Sequence, residues 1–155
     1  MKDNLRPLQD ALVRLLRERP FYGHFLLHFR RRATADGSPL GVTIEHGTPT
    51  LCVQPAAFAA CAADEQTALL EHLLKHVLHL HMLRRRGRHA HDWDIACDLA
   101  INPGIAGLPP AAVYPERFGL PAGLAAEEYY RLLSPPFDSG NQQGQGVGDA
   151  DRERG

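Results

Sequence analysis

Cysteine is scarce in this 155-residue chain: Cys52, Cys61 and Cys97 are the only three, and no two of them form a CxxC pair. An odd count without paired spacing argues against a disulfide framework, so these thiols are expected to be small, reduced and buried. Long apolar runs are missing as well; none approaches the roughly eighteen residues of a membrane span. The opening stretch MKDNLRPLQDALVRLLRERP lacks the apolar core of a signal peptide, which leads to the expectation of a cytoplasmic protein with no membrane segment. Nor is there an excess of charge of either sign. With 17 basic and 18 acidic residues the net charge is −1, which gives no global attraction to nucleic acid or acidic membranes. The basic residues are nearly all arginine, and their short runs at Arg30 to Arg32 and Arg84 to Arg86 read as solvated helix ends.

What is present suits one globular domain. A hydrophobic fraction of 44% and a charged fraction of 23% allow a core without special staples, and the length is too short for two ordinary domains. Leu5, Leu8, Leu12, Leu15 and Leu16 repeat at helical spacing until Pro20, predicting a helix over about 4–19. FYGHFLLHFRRR, residues 21–32, reads as a second short helix. Its His24 and His28 lie among apolar residues and are expected to be packed or hydrogen-bonded. TADGSP, residues 34–39, is a cluster of turn formers, and GVTIEHGTPTLCV after it carries a hairpin signal around His46 to Pro49. A short helix is expected around 55–61. Asp64 then suits the N-cap of a long helix running unbroken from Glu65 to about Arg86, with Gly87 as its stop. DWDIACDLAIN, residues 92–102, predicts another helix, and a final one is expected over about 124–133, after a loop rich in proline and glycine. The tail from Pro135 to Gly155 has almost no apolar residues and reads as disordered or as a linker. The domain is therefore placed at 1–134 and the tail at 135–155.

The chemistry concentrates in EHLLKHVLHLHMLRRRGRHAH, residues 71–91, which holds six of the nine histidines. Residues four apart on a helix stack on one face, so His72 and His76 can present two imidazoles to one ion. His79, seven positions from His72, falls only about 20° away around the axis, whereas His81 falls about 180° away. A straight helix thus yields the row His72, His76 and His79. Buried imidazoles need partners, either a metal or neighbouring carboxylates and carbonyls. Asp94 and Asp98 are likewise four apart on the following helix and could complete a metal site or orient a ligand imidazole. Asp92 and Asp94 also suit the N-terminal turn of that helix. Asp98, lying inside it, is the better candidate. HLLKH is one substitution from the zinc-peptidase motif HExxH, whose glutamate relays protons from metal-bound water. Leu73 stands at that position and cannot.

The order of parts resembles a bacterial metallopeptidase-like family associated with VWA-like domains. TLCVQPAAF leads into HLLKHVLHLH, followed by WDIACDLAIN, the loop LPPAAVYPERFGLP and EEYYRLL, covering most of residues 20–133. The resemblance implies an α+β, mainly helical, zincin-like fold with a small hairpin or sheet packed on the long histidine-bearing helix. It places the motif histidines on His72 and His76, the later histidine on His81 and the helix aspartate on Asp98, and it implies Zn2+ or another transition metal. It also implies partners, a VWA-domain protein and a MoxR-type AAA+ ATPase. The third imidazole stays open between His79, favoured by helix geometry, and His81, favoured by resemblance. Three functions follow: a metal-binding domain that has lost hydrolysis and serves as a binding or scaffold module for a peptide or protein; an active metallohydrolase with Glu45 or Asp98 as base; or a metal-free interaction domain with structural or pH-sensitive histidines.

Overall fold

The computed structural model describes residues 3–134, and the tail expected from Pro135 onward lies outside the described residues. Helix α1 spans Arg6–Glu18. It buries Leu8, Ala11, Leu12 and Leu15, the i, i+3, i+4, i+7 stripe of an amphipathic helix facing a core. Pro20 does more than end this helix, because it occupies the first turn of α2, Pro20–Leu27, where its missing N–H is not needed. The two helices cross closely at Gly23, where a β-carbon would stand 2.5 Å from the Leu16 Cα; any larger residue must push the helices apart.

Helix α2 stops before the arginine run. His28 Nδ1 donates to the His24 carbonyl at 2.9 Å, and Arg30–Ala33 form a strand, β1. The expected helical continuation through Arg32 is thereby corrected: ladder hydrogen bonds to another strand win over helical periodicity here. That partner is β3, Thr48–Val53, which pairs with β1 in parallel and with β2, Leu40–Glu45, antiparallel. The sheet order is β1-β3-β2. β2 and β3 are joined by His46 and Gly47, both at positive φ (50° and 76°), the two-residue turn whose twist matches a hairpin. Central β3 buries Thr50, Leu51 and Val53.

Helix α3, Pro55–Ala60, is capped by the Gln54 side chain, which accepts from the Ala57 amide. Helix α4, Ala63–Leu78, has Ala62 as its N-cap, so Asp64 lies in the first turn rather than at the cap position expected of it. There its carboxylate still favours the positive end of the helix dipole. A short helix α5, His81–Arg84, follows a break, then α6, Ala90–Ile101, and α7, Ala126–Leu133. Asn102–Gly104 and Pro115–Phe118 are single 3₁₀ turns in the intervening loop.

The fold is α+β with two apolar clusters. The larger joins α1, α2, the sheet, α3 and the inner face of α4 through residues such as Leu8, Leu26, Leu51, Phe58, Leu70 and Leu74. The smaller joins α6 and α7 through Trp93, Cys97, Leu99, Ala126 and Tyr129. Between them lies a seam where α4 meets α6. Among the described residues, no helix is long and apolar enough to cross a membrane.

Candidate metal centre

Two helices from the two clusters bring the chemistry together at that seam. His72 and His76, one turn apart on α4, turn their Nε2 atoms toward each other at 3.0 Å. From α6, Asp98 Oδ1 stands 2.9 Å from His76 Nε2 and 3.4 Å from His72 Nε2. Donors of a tetrahedral zinc ion with bonds of about 2.0–2.1 Å are spaced roughly 3.3 Å apart, so this triangle has the size of one face of such a site. Without a cation, a single proton on His76 Nε2 can hold the triangle together by donating to Asp98. A divalent ion would take the place of that proton.

The tautomer of His72 is dictated from behind. Asn102, fully buried, donates through Nδ2 to the Val113 carbonyl at 2.8 Å, which turns its Oδ1 toward His72 Nδ1, also at 2.8 Å. An amide oxygen only accepts, so His72 carries its proton on Nδ1 and aims the Nε2 lone pair into the triangle. Asn102 reads in the sequence merely as a helix end; its place four residues after Asp98 and eight after Asp94 is the signal that sets it on their face.

The third imidazole reaches the site by a break in the helix. Helix α4 ends at Leu78, His79 is its C-cap, and Leu80 adopts the left-handed conformation with φ 55° and ψ 33°. The chain thereby turns back, and His81, only 3% exposed, brings its Nδ1 to 3.0 Å from His76 Nδ1. This corrects the unbroken helix to Arg86 and with it the row His72, His76, His79. His79 is exposed and stacks on His81 with ring centroids 5.4 Å apart; it belongs to neither of the donor groups brought together here. A leucine in the left-handed region costs on the order of 1–2 kcal/mol. What outweighs that cost is tertiary: burial of His81, a 2.8 Å hydrogen bond from Trp93 Nε1 to the His81 carbonyl, and Arg84, which bonds the His79 carbonyl at 2.9 Å and grips both oxygens of Glu127 on α7.

Electrostatics follow the geometry. Burial opposes ionisation of Asp98, yet the two imidazoles against it, His72 and His76, outweigh that and bring the carboxyl down to about 2. Burial, with His76, Arg84 and His79 adding to it, brings His81 down to about 3 and keeps it neutral. Burial, followed by the nearby carboxylates of Asp98 and Asp94, pushes the Cys97 thiol up to about 12. One ring nitrogen each of His76 and His81 lies with the Cys97 sulfur in a second donor group, all within 4.8 Å of one another.

Two cavities flank Asp98. One, of about 470 Å3, is lined by Val42 of edge strand β2 together with Leu73, His76, His81, Asp94 and Cys97. The other, of about 400 Å3, is bounded by Leu69, His72, Asn102, Leu108 and Pro109. Leu73 therefore faces the chemistry, where a motif glutamate would have stood. Glu45 is held at 2.8 Å by Arg32 across the sheet and lines neither cavity. Asp92 accepts from Ser134 Oγ at 2.9 Å, a structural role at the start of α6. His24 and His28 border an apolar groove with Phe21 and Phe25, away from either donor group. Of the three free cysteines only Cys97 is buried; Cys52 and Cys61 are half-buried, which corrects the expectation of three buried thiols.

Two imidazoles one helical turn apart and a carboxylate from the neighbouring helix form a donor group that could hold a metal ion. The chain belongs to the family described as "Putative metallopeptidase domain", whose model matches residues 4–155. No curated protein and no solved structure matches the chain.

Proposed function

We propose that the protein is a zinc-binding member of this family whose ion is held by His72 Nε2, His76 Nε2 and Asp98, and that it works as a binding or scaffold module rather than as a peptidase. The convergence of those three donors, with His72 pre-set by Asn102, carries the metal reading. Bound zinc would supply Lewis acidity. Around it the protein's own groups have defined tasks. Asp98 keeps its charge because the His72 and His76 rings lie against it, Asn102 fixes one tautomer, and Leu73 offers an apolar wall.

Leu73 also supports the non-hydrolytic reading. Proton relay needs a carboxylate within reach of the attacking water, and neither alternative base is free. Asp98 is engaged by both histidines, and Glu45 is paired with Arg32. Beside the site, β2 is an edge of the sheet, and an extended peptide could add to it by main-chain hydrogen bonds. The VWA-domain protein and MoxR-type ATPase implied by the family resemblance are the partners proposed for such a module. The test is metal content of tag-free protein together with chelator-sensitive cleavage of a diverse peptide library. About one equivalent of zinc, lost in His72→Ala, His76→Ala and Asp98→Ala, and no cleavage, is the expected result. Less than about half an equivalent refutes the metal centre, and chelator-sensitive cleavage refutes the scaffold role.

A further inference from the structure

A buried thiol is commonly no more than a small apolar side chain. Cys97 differs in its company. It is 1% exposed on the inner face of α6, and its sulfur shares a space of 4.8 Å with nitrogens of His76 and His81. The two edges of the His76 ring look in different directions. Nε2 points to His72 and Asp98, whereas Nδ1 points to His81 at 3.0 Å. Cys97 and Asp98 are sequence neighbours, so on a helix they project about 100° apart; Asp98 meets His76 Nε2, whereas Cys97 falls in the donor group that His81 joins. His81 reaches this position only through the left-handed Leu80, and Trp93 holds its backbone there. The cavity in front offers further donors, the Met82 thioether and the Asp94 carboxylate, with Arg85 as an opposing charge.

We propose that His81 Nδ1, Cys97 Sγ and the Nδ1 edge of His76 form a second cation site, distinct from the His72 centre and selective for a thiophilic ion of the Zn2+, Co2+ or Cu+ kind. Sulfur and imidazole together favour such ions over Mg2+ or Ca2+, which prefer oxygen. Binding at the second site would release the thiol proton of Cys97 to solvent and shift the His81 proton from Nδ1 to Nε2, so that the His81 ring stays neutral. With both sites filled, His76 would also give up its one ring proton to solvent and present Nε2 to the first centre and Nδ1 to the second. The inference rests on the first centre through His76, which both share.

Cobalt titration of the reduced, metal-free full chain separates the two. A thiolate bound to Co2+ gives an intense near-ultraviolet charge-transfer band, whereas an ion held only by imidazole and carboxylate does not. The expected result is two equivalents of Co2+ with that band growing over one of them. Cys97→Ser should remove the band and lower affinity for one equivalent by about tenfold or more, while leaving the other in place. Cys61→Ser should change neither, and His72→Ala should retain the band while losing the other equivalent. Thermal melts of Cys97→Ser would separate loss of a ligand from loss of fold. One equivalent without a band overturns the second site and leaves the first intact. One equivalent with a Cys97-dependent band puts Cys97 in a single centre and also overturns it. No binding at all overturns both centres.

Discussion

Asn102 Oδ1 lies 2.8 Å from His72 Nδ1, and the same amide is locked by its bond to the Val113 carbonyl. The pair turns a helix-terminal asparagine into the group that decides which nitrogen of His72 is free. Asn102→Ala is expected to leave the three donors in place but release the tautomer, weakening zinc binding by about 10–100-fold. Competition against a chromophoric chelator would measure it, and unchanged affinity would show that His72 is oriented by something else.

Leu80 is a second expected lever, because its side chain is 55% exposed while its backbone sits at φ 55°. Glycine adopts that conformation without strain, at the cost of a more flexible unfolded chain. Leu80→Gly should therefore be neutral or stabilising by up to about 1 kcal/mol. Leu80→Ile, with its branched β-carbon, should lose about 1–2 kcal/mol. Urea unfolding of the two variants checks the order, and a reversed order would mean that the turn is not the strained element.

Acid should destabilise the metal-free protein early. His81 falls from an ordinary 6.5 to about 3 in the fold, so between those values the unfolded chain holds a proton that the folded chain lacks. Stability then falls as pH drops through that window, with a slope of up to about 1.4 kcal/mol per pH unit. Asp98, at about 2 against an ordinary 3.8, contributes stability that is full above about 4 and is lost only below it. His81→Gln should flatten the dependence between about pH 6 and 4 and leave the steeper loss below about pH 4. An unchanged slope in that variant would assign the upper window to other groups.

Leu73 is partly buried against the larger cluster yet also lines the cavity with His76 and Asp98. Leu73→Glu should cost about 1–2 kcal/mol of stability through lost apolar burial. In zinc-loaded protein it should also introduce chelator-sensitive peptide cleavage that the natural chain lacks. If the variant folds, binds zinc and still cleaves nothing, a missing carboxylate is not what limits hydrolysis.

Much of the architecture can be read along the chain because it is encoded locally. The leucine stripe of α1, the turn signal at His46 and Gly47, and the four-residue spacings of His72/His76 and Asp94/Asp98 all depend on neighbours a few positions away. Sequence and structure part where distant partners overrule local preference. Arg30 to Ala33 form a strand because β3, some twenty positions further along, is there to pair with them. Asn102 gains its role only when Val113, eleven residues on, closes against it.

The sequence by itself determined that two imidazoles share a helix face, that an aspartate four residues from another lies on the next helix, and that Leu73 replaces the motif glutamate. Only the tertiary structure decided between His79 and His81 as the imidazole beside His76. Periodicity assumes a helix continues until a breaker ends it, and no glycine or proline stands between Leu78 and His81. The helix ends there because burying His81, with Trp93 and Arg84 bonding the carbonyls around it, is worth more than keeping a leucine out of the left-handed region.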